Sequence, residues 1–236
     1  GDSLANVVLG LDSTKDVNMQ QMLHHTEAVA KAVSKALVVG DMPYCAYQVD
    51  ANKAVANAKQ FIAAGADAVK VEWFDGCLEV VDLLISSGIS VMGHIGLTPQ
   101  RAQELGGFKV QGKSADAARG LIEQALLLEK KGVFSIVLEC VPDCVAQIIT
   151  EKLLISTIGI GAGPFCDGQV LVINDILGLS QNVKPKFIKQ YCDLTAIISK
   201  AVLDYKSDIE LCRFPAKEHC YSMPDEELRK LSDTKI

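Results

Sequence analysis

The sequence predicts an α/β protein with a (β/α)8 TIM barrel from two features of its 236 residues. Short apolar runs alternate with segments of helical periodicity, which is typical of parallel βαβ units joined by right-handed crossovers. Polar residues stand at the ends of several of these runs, where the carboxyl ends of barrel strands would meet. A chain of this length suits a single domain of that kind.

Five runs rich in β-branched residues and bounded by turn-forming residues are predicted to be buried strands. They are Leu37–Asp41, Ala68–Glu72, Ser90–His94, Ser135–Glu139 and Thr157–Gly161. Because helical segments separate them, we expect these strands to lie parallel in one sheet.

Helices are predicted ahead of these strands. Apolar residues recur at three- and four-residue steps between Val17 and Ser34, which marks one apolar helix face. Asp50 can cap a helix that runs to Ala64 and stops at Gly65, and a further apolar stripe ends before Gly132.

Polar side chains are predicted at the carboxyl ends of four different strands: Asp41, Glu72, His94 and Glu139. In a closed barrel these ends converge on one mouth, where catalytic groups collect. A doubly wound sheet is the alternative architecture, and any single one of these residues could instead be a helix cap or a salt-bridged rim charge. Four such positions together favour the barrel.

Lys70 and Glu72 lie two residues apart on one predicted strand, so both side chains point to the same face. A buried charge is costly unless a partner, a metal or a substrate neutralises it. With Asp2, Asp41 and Glu72 as oxygen donors, the suitable ion is Mg²⁺. This donor set points to Lewis-acid chemistry on a keto acid or a phosphate.

Composition excludes several classes of protein. The chain has 23 basic and 29 acidic residues and a net charge of −6, so a nucleic-acid partner is not expected. No apolar stretch approaches the roughly 18 residues of a membrane span. The eight cysteines lack both a disulfide framework and zinc-ligand spacing, which favours a reducing compartment. Cytoplasm and mitochondrion both stay open.

Glycine-rich segments are the remaining local signals. Gly159, Gly161 and Gly163 resemble a dinucleotide fingerprint only loosely. A tight turn that brings backbone close to a ligand is favoured, and close packing of strands is the alternative. The stretch from 105 to 112 could form a glycine-hinged lid. His24 and His25 lie on a predicted helix and are interpreted as surface or packing residues.

Long segments spread along the chain resemble the ketopantoate hydroxymethyltransferase family up to about His219. They are 1–4, 12–14, 41–44, 68–72, 93–100, 106–112, 137–142, 158–163 and 167–170. Their length and their order make this resemblance highly specific.

The resemblance implies a barrel of the phosphoenolpyruvate/pyruvate superfamily. It also implies transfer of a hydroxymethyl group from methylenetetrahydrofolate to 3-methyl-2-oxobutanoate (α-ketoisovalerate), which gives ketopantoate for pantothenate and coenzyme A synthesis. The metal ligands of the family match Asp2, Asp41 and Glu72, and the proton acceptor matches Glu139. The substrate contacts of the family match Asp2, Ser3, Asp41 and Lys70; His94 matches a position near the site, with a role in loop orientation or in proton transfer.

The sequence departs from the family pattern at a few positions. Trp73 and Phe74 stand where two glycines are usual, and Asn174 stands where histidine is common, so the contacts to folate or to a neighbouring subunit could differ. The family also carries a first strand–helix unit ahead of the match to Asp2, so we expect residues 1–220 to be an N-terminally incomplete catalytic barrel, and residues 221–236 to be a C-terminal extension.

The resemblance further implies a homo-oligomer, since the family forms decamers. Two other functions stay open beside the transferase: a Mg²⁺-dependent carbon–carbon lyase of the same superfamily, and a non-catalytic truncated homologue.

Overall fold

The computed structural model describes residues 1–179 and 185–232, and these form one sheet of six parallel strands. The strands follow one another in the sheet in chain order, and each pairs with the one before it. They are β1 (Val39–Asp41), β2 (Ala68–Glu72), β3 (Val91–Gly96), β4 (Ser135–Glu139), β5 (Ser156–Ile160) and β6 (Gly168–Gln169).

Ten α-helices occur in the same residues: α1 (Leu4–Val7), α2 (Met19–Ala32), α3 (Tyr44–Tyr47), α4 (Ala51–Ala63), α5 (Cys77–Ser86), α6 (Ala115–Lys131), α7 (Asp143–Lys152), α8 (Ile173–Leu177), α9 (Leu194–Glu210) and α10 (Asp225–Ser232). Three 3₁₀ turns span Thr14–Asp16, Pro99–Arg101 and Lys217–His219. Strand, helix and next strand alternate from β1 to β5, which confirms the predicted βαβ order.

Local sequence signals set the helix ends. Asp50 accepts a hydrogen bond from the Asn52 amide and begins α4, as predicted. Ser114 caps α6, and Gly132 ends it with φ of +95°, a conformation that glycine adopts without steric cost. These caps satisfy backbone groups that a helix end leaves unpaired.

The core lies between the sheet and the helices that cover it. Phe61 of α4 is fully buried against Gly40 of β1. A Cβ atom at Gly40 would lie 2.5 Å from the Phe61 ring, so only glycine allows this helix to pack so close to the strand. Leu128 of α6 approaches Gly93 of β3 in the same manner.

The architecture confirms a parallel α/β sheet, whereas the closed eight-stranded barrel is not seen within the described ranges. β1 and β6 are the two ends of the sheet. β6 has two residues and was not predicted, because Gly168–Gln169 carries no apolar run. In the described part of the chain, no helix combines the length and apolar character needed to cross a membrane.

One local prediction needs correction. β3 extends to Gly96, so His94 lies inside the strand rather than at its end.

Candidate active site

The carboxyl ends of β1 to β4 bring the predicted polar residues together at one edge of the sheet. Asp41 is paired in register with Lys70, and Glu72 is paired with His94. Glu139 ends β4, next to β3. Glu139 is therefore separated from the Lys70 strand by one strand.

Lys70 and Asp41 form a buried ion pair. Lys70 Nζ lies 2.6 Å from Asp41 Oδ1, and the Asp2 amide donates to Asp41 Oδ2 at 3.0 Å. Burial would lower the pKa of Lys70, but the surrounding carboxylates outweigh burial and raise it, led by Asp41. Burial raises the pKa of Asp41, yet the Lys70 charge more than offsets this and the net shift is downward. Both groups are therefore charged at neutral pH.

Glu72 is almost completely buried, with 1% of its surface exposed. Its Oε2 accepts a hydrogen bond from the Gln100 amide at 3.1 Å, whereas no described residue donates a hydrogen bond to Oε1. Burial raises the pKa of Glu72 well above its usual value, against the pull of Lys70. His94 Nδ1 lies 3.8 Å from Oε1, beyond hydrogen-bond distance. A buried carboxylate with one oxygen that accepts no hydrogen bond is suited to bind a cation.

Asp2 and Ser3 lie beside this pair at the start of α1. Asp2 is buried, and its Oδ2 accepts a hydrogen bond from the Gln100 side chain at 2.8 Å. Burial, followed by the charge of Asp41, raises the pKa of Asp2 to about 7. The Ser3 hydroxyl makes no capping bond to α1, which leaves it available to a ligand.

His94 lies between Lys70 and Glu139. Its Nδ1 is 3.3 Å from Lys70 Nζ, and its Nε2 is 3.2 Å from Glu139 Oε2, an ion-pair distance rather than an aligned hydrogen bond. Burial and the Lys70 charge lower the pKa of His94, so its ring is neutral at pH 7. Nδ1 can then accept a hydrogen bond from the Lys70 ammonium.

A metal site that needs three side chains at once is not preformed. Across residues 1–179 and 185–232, no group of three His, Cys, Asp or Glu side chains is arranged to hold an ion in common. Mg²⁺ usually takes one or two protein carboxylates together with water and substrate oxygens. Glu72 Oε1, which has no hydrogen-bond donor, and the nearby carboxylates of Asp2 and Asp41 therefore fit that ion.

Gln100 is the site residue that sequence reasoning missed. It is fully buried on the 3₁₀ turn and contacts both Asp2 and Glu72. Its only signal in the sequence is its place at the end of the segment 93–100, and no local pattern shows that a glutamine after Thr98-Pro99 is buried.

A cleft of about 470 Å³ opens beside these residues. Trp73 and Phe74 line it together with Gly96, Thr98 and Gln111. The departure from two glycines thus places two aromatic side chains next to the polar edge. Gly106 and Gly107 have positive φ in the neighbouring loop, as a turn requires.

The glycines of the segment 159–163 allow neighbouring segments to pack closely. A Cβ at Gly161 would lie 2.7 Å from the Phe187 ring, and one at Gly163 would lie 2.3 Å from the Cβ of Asp143. Both glycines have positive φ, which confirms the predicted tight turn.

The remaining singled-out residues lie away from this edge. His24 and His25 contact each other edge to face on α2, and Asn174 is half-buried at the start of α8. The described residues include all eight cysteines, and each thiol is free.

Comparison with solved structures identifies proteins of similar fold. The chain is similar to phosphonopyruvate hydrolase with a TM-score of 0.56 and 14% identity over 99% of this chain and 81% of that chain. A structure of phosphonopyruvate hydrolase in complex with oxalate and Mg²⁺ has a TM-score of 0.51 and 15% identity over 98% of this chain and 84% of that chain. A structure of 2,3-dimethylmalate lyase, described as a PEP mutase/isocitrate lyase superfamily member, has a TM-score of 0.50 and 12% identity over 99% of this chain and 79% of that chain. These likenesses show that the chain shares the α/β fold of these proteins.

Sequence comparison is more specific. Residues 1–217 match the family model of ketopantoate hydroxymethyltransferase, and the chain belongs to that family. The 3-methyl-2-oxobutanoate hydroxymethyltransferase of Syntrophomonas wolfei is 49% identical over 232 residues, which cover 98% of this chain and 84% of that protein. The protein of the same name from Syntrophobacter fumaroxidans is 51% identical over 233 residues, which cover 98% of this chain and 83% of that protein.

Proposed function

We propose that this protein transfers a hydroxymethyl group from methylenetetrahydrofolate to 3-methyl-2-oxobutanoate, forming 2-dehydropantoate (ketopantoate) for pantothenate and coenzyme A synthesis. The observation that carries the proposal is the convergence of Asp2, Asp41, Lys70, Glu72 and Glu139 on one sheet edge. Membership of the family supports the same reaction.

Asp2, Asp41 and Glu72 would hold Mg²⁺ in this reaction, sharing it with the keto acid. Their oxygen chemistry fits a hard cation. When bound, the cation polarises the keto group and makes a proton on the branched carbon easier to remove.

Lys70, Glu139 and His94 then have separate roles. Lys70 keeps a positive charge beside Asp41 and can offset the negative charge that develops on the substrate oxygens. Glu139 accepts the proton from the branched carbon, which then forms a bond to the one-carbon unit. Overall, one water molecule supplies the hydroxyl group of the new hydroxymethyl carbon, and tetrahydrofolate takes up the remaining hydrogen as it leaves. His94 lies between Lys70 and Glu139 and orients the Glu139 carboxylate. Ser3 and Asp2 complete the keto-acid contacts.

The co-substrate would approach from the cleft lined by Trp73 and Phe74. Aromatic side chains offer a flat apolar surface to a planar ring such as the pterin of the folate. The family usually has two glycines at these positions, so this contact would differ from that of members with the usual glycines.

The finer architecture is also a proposal. We propose that residues 1–220 belong to one catalytic domain of (β/α)8-barrel type, with residues 221–236 as an extension. Homo-oligomer formation is supported by α9, none of whose residues is buried and whose Ile197, Val202 and Leu203 are each more than half exposed. The cell compartment proposed is the cytoplasm or the mitochondrion.

Product formation tests the reaction. The full protein is incubated with Mg²⁺, 3-methyl-2-oxobutanoate and methylenetetrahydrofolate, and NMR follows 2-dehydropantoate. Product is expected from the wild type and from the matched control Glu123→Gln, an exposed change on α6, but not from Glu139→Gln. Absence of product from the wild type contradicts the proposal. Turnover of the keto acid without folate would favour a lyase.

A further inference from the structure

Gln100 makes every hydrogen bond that its side chain can make, although it is fully buried. Its Nε2 donates to Asp2 Oδ2 at 2.8 Å and to the Met42 carbonyl at 2.9 Å. Its Oε1 accepts from the Tyr47 hydroxyl and from Gln48 Nε2, both at 2.7 Å. A primary amide has two donor hydrogens and two acceptor lone pairs, so this network is complete.

The main chain of Gln100 adds a fifth bond, from its amide to Glu72 Oε2. Gln100 therefore donates a hydrogen bond to one oxygen of Asp2 and another to one oxygen of Glu72. These are two of the three carboxylates proposed to bind the cation. Oε1 of Glu72 is left without a donor. The third carboxylate, Asp41, is held separately by Lys70.

Tyr47 fixes which way the Gln100 amide points. The hydroxyl donates to Gln100 Oε1 and accepts from the Glu72 backbone amide at 2.9 Å. If the amide turned over, its NH₂ would face Gln48 Nε2, another donor, and its oxygen would face the Asp2 carboxylate. The donors of Gln100 are thus held toward Asp2 and Met42.

We propose that the Gln100 side chain, oriented by Tyr47, is a positioning group that turns one oxygen of Asp2 away from the cation and so sets the affinity of the site for Mg²⁺, whereas the main-chain bond from Gln100 to Glu72 stays in place when the side chain is replaced. This inference rests on the proposed function for the identity of the ligands. Outer partners that orient metal ligands typically change metal affinity by roughly 10–100-fold when they are removed.

The test compares Gln100→Met, which keeps the length of the side chain without its hydrogen bonds, with Gln103→Met. Gln103 is exposed three residues away, so the control has the same chemical change outside the network. Tyr47→Phe is the second variant, because it removes the hydroxyl that orients the Gln100 amide and also accepts from the Glu72 backbone amide, while leaving the Gln100 side chain in place. Calorimetry measures Mg²⁺ affinity without substrate, and NMR measures exchange of the substrate C–H with deuterium in heavy water.

We expect Gln100→Met to weaken Mg²⁺ binding at least about tenfold and Tyr47→Phe to weaken it less. At saturating Mg²⁺ the exchange rate should return to within about threefold of wild type, because a positioning role affects half-saturation by the metal more than the maximal rate. A purely structural role would lower thermal stability and leave the affinity of the folded protein unchanged.

The inference is overturned if either variant folds and its Mg²⁺ affinity stays within twofold of wild type. If Gln100→Met does not fold, the same criterion is applied to Tyr47→Phe. Failure of the proposed function is seen separately, as a wild type that binds Mg²⁺ but forms no 2-dehydropantoate. A wild type that does not bind Mg²⁺ overturns the inference as well.

Discussion

The imidazole of His94 lies 3.2 Å from the carboxylate of Glu139 on the adjacent strand. The other ring nitrogen faces Lys70 Nζ at 3.3 Å, so the ring joins a cation to the proposed base. A neutral ring in this place can hold Glu139 without taking the proton that Glu139 is proposed to accept. The geometry therefore favours orientation over proton transfer for His94.

Glu139→Gln should lose deuterium exchange of the 3-methyl-2-oxobutanoate C–H by about 10²–10⁴-fold, because general-base catalysis contributes that much. Keto-acid binding should stay near wild type, since the side chain keeps its shape. NMR of the substrate in heavy water measures the exchange, and calorimetry measures the binding. Near-normal exchange by the folded variant would remove Glu139 from the mechanism, and Glu123→Gln controls for the amide change.

Mg²⁺ should raise the thermal unfolding temperature more at pH 8 than at pH 6. The pKa of Asp2 rises from 3.8 to about 7 on folding, so the folded protein binds more protons than the unfolded chain between these values. Stability without metal therefore falls as pH rises from about 4 to 7. Protons compete with Mg²⁺ for the carboxylate, and scanning calorimetry with and without the metal should show the stabilisation growing through pH 7. A shift that does not depend on pH would argue against Asp2 as a ligand.

Glu72→Gln should weaken Mg²⁺ and keto-acid binding together, because the substrate is held partly through the ion. The substitution keeps the hydrogen bond from the Gln100 amide possible but removes the charge on Oε1. Titration calorimetry of the keto acid with and without Mg²⁺ measures both affinities. Unchanged keto-acid affinity in the presence of Mg²⁺ would contradict a shared site.

Lys70→Met should destabilise the protein by roughly 3–5 kcal/mol, since removal of one partner leaves the Asp41 charge buried and unpaired. Urea unfolding measures this loss, with the exposed Lys113→Met as the control. Addition of Mg²⁺ should recover part of the loss by giving Asp41 a new positive partner. A variant as stable as wild type without metal would show that the ion pair has no structural role.

Gly40→Ala should cost about 1–3 kcal/mol, because the new methyl group meets the Phe61 ring at 2.5 Å. Phe61→Leu in the same chain should recover part of the cost by removing ring atoms from the contact. Thermal unfolding of the two single variants and the double variant measures the coupling. Additive effects would mean that the strand and helix move apart without the ring deciding the spacing.

The sequence predicted β1 to β5 because apolar runs bounded by turn residues are local signals. It also predicted that Asp41, Lys70, Glu72 and Glu139 share one edge, since the carboxyl ends of parallel strands lie together. β6 was not predicted, because a two-residue strand forms through its pairing with β5 rather than through a pattern in its own residues.

The part of the site that could not be predicted depends on contacts between distant segments. Gln100 meets Asp2 across 98 positions and Glu72 across 28, and nothing in its own surroundings marks it as buried. The separation of Glu139 from β2 by a single strand likewise follows from sheet order, which becomes known only when the strands are paired.

The sheet order equals the chain order, so each strand finds its partner already present when the chain is made from its N-terminus. Every side chain proposed for the reaction occurs by residue 139, and Gln100 and Tyr47 precede that point as well. Domains generally fold as the chain emerges during synthesis. The residues of the polar edge therefore all leave the ribosome before α9 and α10 do.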